Sequence, residues 1–286
     1  MTTDRRFAAL LATAVLAVVP PASAPAAGPV EGAVGAGVRA AFPGLYVPDT
    51  VAVQGDAHSG FVVRTALPCA ALESVFAAGD WRVAESLAVP PEAAPFLAIG
   101  GLAPMTLLAD GAATAGLVTN SRPDGCRARL IAAAAGPVAL GGEPAPAAAD
   151  GWSLATRCLR TADELLVDVL VGGADASAQF HVVVDPDGTA ALDESTDSIV
   201  VTGQVGLLTL MSTMLAAELA GAEPVVPDGS TFATASSGSG TATLDGDGTS
   251  GTIRLTGIEW DDNFTGASGT TTAEFPFHCA AITHFG

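Results

Sequence analysis

Two hydrophobic rhythms run along this chain. In "DELLVDVLVGG", Leu165, Val167, Val169 and Val171 recur at every second residue, and in "AQFHVVVDPDG" Phe180, Val182 and Val184 do the same. A period of two sets one face of a strand against a core. The two stretches therefore predict a hairpin, with "GGADASA" as its connection. "DPDG" at 185–188, with Pro second and Gly fourth, predicts a type I turn, and "SIVV" a short strand beyond it. Residues 205–220 change the period. At about 100° per residue, Leu207, Leu208, Leu210, Met211, Met214, Leu215 and Leu219 share one wide face, and Thr209, Ser212, Thr213 and Ala216 the other. The pattern predicts an amphipathic helix stopped by Gly221 and Pro224.

From Gly238 onward the chain is rich in Gly, Ser and Thr with short apolar alternation, as in the strands of a sandwich. In "GTIRLTGIEW", Ile253 and Leu255 have one parity, Ile258 and Trp260 the other. A β-bulge at Gly257 reconciles them. In "TTAEFPFHC", Phe275, Phe277 and Cys279 face inward, and Pro276 predicts an edge strand. "GTATLDGDGTSGTIRLTG" reads as a hairpin whose glycines serve the turn.

The first half is mixed. "SGFVVRTAL" predicts a strand, and "LPCAALESVFAAGDW" a helix opened near Pro68 and stopped by Gly79, with Leu72, Val75 and Phe76 on one face. "MTLLADGAATAGLVTN" predicts two strands around Asp110-Gly111, and "DGCRARLIAAAA" a further one. "GPVALGGEPAPAAADG" loses periodicity and marks a boundary. The resulting division is a signal peptide at 1–26, a flexible leading segment at 27–44, an α+β module at 45–135, a linker at 136–150, and a β-sandwich-like domain at 151–286. The fold class is mainly β with some α: a small α+β module, then a disulfide-closed β-sandwich-like module carrying one amphipathic helix.

Composition adds the compartment. Arg5 and Arg6 precede an apolar run from Phe7 to Val19, and Ala24 and Ala26 suit cleavage before Ala27, the layout of a secretory signal peptide. The run is shorter than the roughly 20 residues of a spanning helix, so no transmembrane segment is expected in the mature chain. Net charge is −19 with no lysine, which disfavours nucleic acid as a partner. Cys69, Cys126, Cys158 and Cys279 are an even number in a secreted setting, so two disulfides are expected, with three connectivities open. Joining 69 to 126 and 158 to 279 gives each module one bridge. Zinc ligation is the rival, but the chain has no Cys-x-x-Cys pair.

From Cys158 to Cys279 a resemblance can be read. A Cys is followed by a valine-rich hairpin, by "GSGTATLDGDGTSGTIRLTG", and by a closing strand of alternating Phe, "AEFPFHC". This resembles the mycobacterial 19-kilodalton lipoprotein antigen family. The resemblance implies a small disulfide-closed β domain displayed outside the cell, without catalysis. It spans less than half of the mature chain, and two features set this chain apart: it lacks a lipid-acceptor cysteine near the cleavage site, and it carries the 205–220 helix.

Candidate chemistry is sparse. "SSGSGTA" lacks the nucleophile-elbow spacing. His58, His181, His278 and His284 match no zinc pattern, and alternation puts His181 on the solvent face of its strand. Asp245 and Asp247 open like a calcium loop but lack the later ligands; with Glu259, Asp261 and Asp262 they are the calcium candidates. "NFT" at 263–265 is a glycosylation acceptor for a eukaryotic secretory route only. Leu207, Leu208, Met211, Met214 and Leu215 are the candidates for contacting an apolar ligand. No catalytic residue and no cofactor are expected. The leading expectation is an exported, non-enzymatic protein acting by surface display or binding, with an extracellular protein or an apolar ligand as partner. An extracellular carrier of a lipid-like ligand and a secreted hydrolase are the alternatives.

Overall fold

The computed structural model describes residues 37, 38, 40–47, 51–56, 60–87, 104–142, 147–173, 176–203, 206–226, 229–280 and 282–284. The signal peptide, most of the leading segment and His58 lie outside them. The chain divides into two compact units, parted between Ile131 and Ala132, with Leu219–Gly221 grouped with the first. The protein is mainly β, as its patterns predict.

The first unit holds β1 (Ala52–Asp56), β2 (Gly60–Thr65), α1 (Cys69–Phe76), β3 (Arg82–Leu87), β4 (Met105–Ala109), β5 (Thr114–Arg122) and β6 (Gly125–Ala132). They form one six-stranded sheet in the order β1-β2-β6-β5-β4-β3. Pro68 stands at the N-cap of α1, its ring holding φ at −58° where the helix begins. Leu72 and Phe76 are fully buried. Phe42 packs edge-on against Phe61 and Trp81, with ring centroids 5.8 and 5.9 Å apart, and the Trp81 indole donates to the Pro43 carbonyl. Val38 and Phe42 are thus core residues, a correction to the flexible leading segment expected over 27–44. Alanine and glycine around them mask two large side chains that carry the packing.

The second unit holds β7 (Ala134–Gly142), β8 (Ala149–Arg160), β9 (Leu165–Gly172), β10 (Ala176–Val184), β11 (Thr189–Leu192), β12 (Ser198–Thr202), α2 (Leu207–Leu219), β13 (Thr231–Leu244), β14 (Ser250–Asp262), β15 (Ser268–His278) and β16 (Ile282–His284). Its ladders return to their start. The circuit β7-β8-β9-β10-β12-β13-β14-β15 closes as β15 pairs back onto β7, and β11 shares the place of β12 between β10 and β13. The two faces of the sandwich-like module are therefore one continuous sheet, which leaves no long free edge. Its interior takes every second side chain: Leu165, Val167, Val169 and Val171 from β9, Phe180, Val182 and Val184 from β10. The rings of Phe180 and Phe275 stack with centroids 5.7 Å apart. β10 and β15 stand four places apart in an eight-place circuit, so these rings meet across its centre. A ring of this size is just wide enough for side chains to fill.

Three expectations change here. The linker expected at 136–150 is strand at both ends, where β7 runs to Gly142 and β8 starts at Ala149: Pro137 pairs with Asp150 and Val138 with Ala149. Two glycines here answer close packing: a Cβ on Gly136 would lie 3.2 Å from the Pro276 ring, and one on Gly151, just past the segment, would lie 2.6 Å from the Gly172 carbonyl and 2.7 Å from Val138. Pro276 is not on an edge strand, because β15 pairs with β14 on one side and β7 on the other. The β7 ladder stops at Glu274. The Pro276 carbonyl accepts from the Ser153 hydroxyl on that same side, so the proline's missing N–H costs no bond to β14. Leu219, placed on the apolar face of α2, is exposed. The predicted bulge is present: the β14–β15 register skips from Leu255 to Ile258, and Gly257 has φ +59°. The turn at 185–188 also forms, with the Gly188 N–H donating to the Asp185 carbonyl.

Candidate functional site

On the outer face of the second sheet, three adjacent strands bring ionisable side chains together. Asp168 of β9 lies directly opposite Arg157 of β8 and His181 of β10. Asp168 and His181 point outward because their neighbours Val167, Val169, Phe180 and Val182 point inward. Arg157 reaches this face through a bulge: the β8–β9 register shifts between Ala155 and Arg157. In an unshifted register Arg157 would oppose Val167 inside the ring. The bulge instead brings Cys158 to the inner face opposite Val167, where it bonds Cys279.

The geometry is tight. Arg157 Nε lies 2.6 Å from Asp168 Oδ2, and His181 Nδ1 lies 2.8 Å from Asp168 Oδ1. Asp168 and His181 are only 3% and 7% exposed. On the other side of the ring, Nε2 lies 3.4 Å from Gln179 Nε2. Both ring nitrogens are therefore engaged. An Asp-His pair orients an imidazole for nucleophile activation, but here the place of a nucleophile is taken by the Gln179 amide. Ser198 has a different task. Its hydroxyl accepts from the His181 backbone N–H where β10 passes from β12 to β11, supplying an acceptor that the ladder lacks.

The solvated His181 expected from alternation is thus corrected. Alternation tells which face a side chain takes, and this outer face is itself covered: Leu154 and Leu170, opposite each other upon it, are 0% and 3% exposed. Arg157 and Asp168 escaped the sequence reading. A signal was available, since a hairpin centred on residues 174 and 175 sets Asp168 opposite His181.

The calcium candidates occupy opposite ends of β14. Asp245 and Asp247 sit in the β13–β14 turn, whereas Glu259, Asp261 and Asp262 close the far end of the strand. At about 3.3 Å per residue the groups are roughly 25 Å or more apart. Their oxygens serve local donors: Asp245 accepts from the Ser250 hydroxyl, Asp247 from the Thr249 N–H and hydroxyl, Glu259 from Ser237, and Asp262 from the N–H groups of Phe264 and Thr265. Among the described residues no three His, Cys, Asp or Glu side chains gather as a metal site. Of the apolar candidates, Leu207, Leu208, Met214 and Leu215 are buried and Met211 is half-buried. The Leu207 N–H at the start of α2 donates to the Ser177 hydroxyl of β10.

All four cysteines are bonded, 69 to 126 and 158 to 279, with Cα separations of 4.9 and 5.8 Å. Such bridges belong to an oxidising, extracytoplasmic environment. No described helix is long and apolar enough to cross a membrane. No protein-family model, no curated protein and no solved structure matches the chain.

Proposed function

We propose that this is an exported, non-enzymatic protein that acts outside the cytoplasm by display or binding. The observation that carries this reading is the pair of disulfides, one in each unit, behind a signal-peptide-like N-terminus. The likeness of residues 158–279 to the 19-kilodalton lipoprotein antigen family supports display. The engaged imidazole of His181 and the local duties of the acidic side chains support a role other than catalysis. The filled centre of the second sheet favours binding on the surface over carriage of an apolar ligand within the ring.

Expression of the full chain in an actinobacterial host, with fractionation and N-terminal sequencing, tests the reading. The expected product lies outside the cytoplasm, begins at Ala27 and has no free thiol. A full-length, thiol-reduced cytoplasmic product would sink it. Native mass spectrometry of the secreted protein checks the carrier alternative, which requires a co-purified apolar adduct.

A further inference from the structure

The first unit carries an arginine pair that joins no described carboxylate. On β2 and β6, Phe61, Val63, Ala128 and Leu130 face the core, so the intervening residues form the opposite face. That face presents Arg64, Arg127 and Arg129: Arg64 stands directly opposite Arg127, and Arg129 opposite Val62. Directly opposed residues have Cβ atoms about 5 Å apart, and like charges there repel. The chain has 30 acidic residues against 11 basic ones, yet neither Arg64 nor Arg127 joins an ion pair among the described residues. Arg64 Nε is buried and has no hydrogen-bond partner among the described residues. Arg129 is half-buried, and desolvation holds its guanidinium pKa below the usual arginine value. A buried donor without an acceptor is a standing cost, and a bound anion would remove both that cost and the repulsion.

We propose that Arg64 and Arg127, with Arg129 beside them, bind a phosphate monoester. Each guanidinium offers a planar fork of donors that matches two oxygens of a phosphate. A tetrahedral dianion supplies oxygens for two forks and a charge for each arginine, whereas a carboxylate supplies one fork and one charge. The net charge of −19 repels long polyanions, which narrows the ligand to a compact phosphate on a small molecule or a lipid headgroup. The proposal rests on the exported, binding reading only in placing this face among extracytoplasmic ligands. The secretion experiment tests that reading separately.

The test uses the secreted chain at low ionic strength and three probes: inorganic phosphate, glycerol 3-phosphate, and phosphatidic acid vesicles beside phosphatidylcholine ones. Calorimetry is paired with arginine Nε–H NMR. Saturable binding that shifts the Arg64 and Arg127 signals is expected, with about tenfold or greater loss in Arg127→Gln and none in Arg254→Gln. Binding by the soluble probes marks a small-molecule ligand; binding by phosphatidic acid vesicles alone marks a lipid headgroup. Arg127→Gln is also expected to melt higher than the parent in anion-free buffer and to lose the stabilisation by phosphate. The opposite signs separate lost binding from a folding defect. No saturable binding of any probe, or an Arg127→Gln protein that binds like the parent, would overturn the proposal.

Discussion

Replacing Asp168 by Asn keeps the side chain's shape and removes one charge from the centre of the Arg157–Asp168–His181 row. Asp168 is 3% exposed and lies within 2.8 Å of both partners, so water cannot take its place. Breaking a buried ion pair by neutralising one member costs about 3–5 kcal/mol, because the other charge stays uncompensated. The Arg157 side chain is 21% exposed, and that access to water brings the expected loss to the low end, about 3 kcal/mol. For a unit of roughly 150 residues this lowers Tm by about 6–12 °C, a large share of a stability near 5–15 kcal/mol. Scanning calorimetry and urea denaturation followed by circular dichroism would read it. A companion variant, Arg157→Met with Asp168→Leu and His181→Leu, removes every charge at once and is expected to restore most of the loss. An Asp168→Asn protein within about 0.5 kcal/mol of the parent would refute the claim that the row is desolvated and mutually dependent. So would a triple variant less stable than the single one.

Removing the 158–279 bridge with paired Cys→Ala changes is expected to cost about 5 kcal/mol, and removing 69–126 about 4 kcal/mol, since they close loops of 121 and 57 residues; the order of the two losses is read by denaturation without reductant. Gly257→Val, which forces a β-branched residue to φ +59° with no atom near its Cβ, should lose about 1–2 kcal/mol through backbone strain alone, and Gly257→Asn less; equal losses would point to side-chain packing instead. Burial raises the Glu73 pKa against a weaker opposing bond from Thr106. A carboxyl raised in the folded state adds stability below its unfolded pKa and loses it as pH rises through the folded one. Glu73→Gln should therefore flatten the decline in stability upward from the ordinary glutamate range, and an unchanged pH profile by thermal denaturation would count against a buried carboxyl.

Alternation made much of the second unit legible. Valine and phenylalanine at every second position identify the inner faces of β9, β10 and β15 whatever their partners, because a strand's side chains alternate by covalent geometry alone. The same holds for the Gly257 bulge, where the parity of Ile253 and Leu255 against Ile258 and Trp260 requires one extra residue. The segment at 136–150 misled because small residues have two physical uses. They loosen a chain in solvent, and they let backbones approach closely in a packed sheet, as Gly151 does beside Gly172.

Some features belong to the tertiary structure alone. Whether an outward-facing side chain meets water depends on what covers that face, and His181 and Asp168 are buried outside the ring for that reason. Closure of the sheet is a property of pairings between strands far apart in sequence, such as β15 with β7. The opposition of Arg64 and Arg127 depends on the β2–β6 register, which joins strands far apart in sequence. By itself the sequence determined periodicity, turns and the set of cysteines, all set by local covalent geometry and composition. Register and cover, which decide which charges meet and which are desolvated, arise only when distant strands pair.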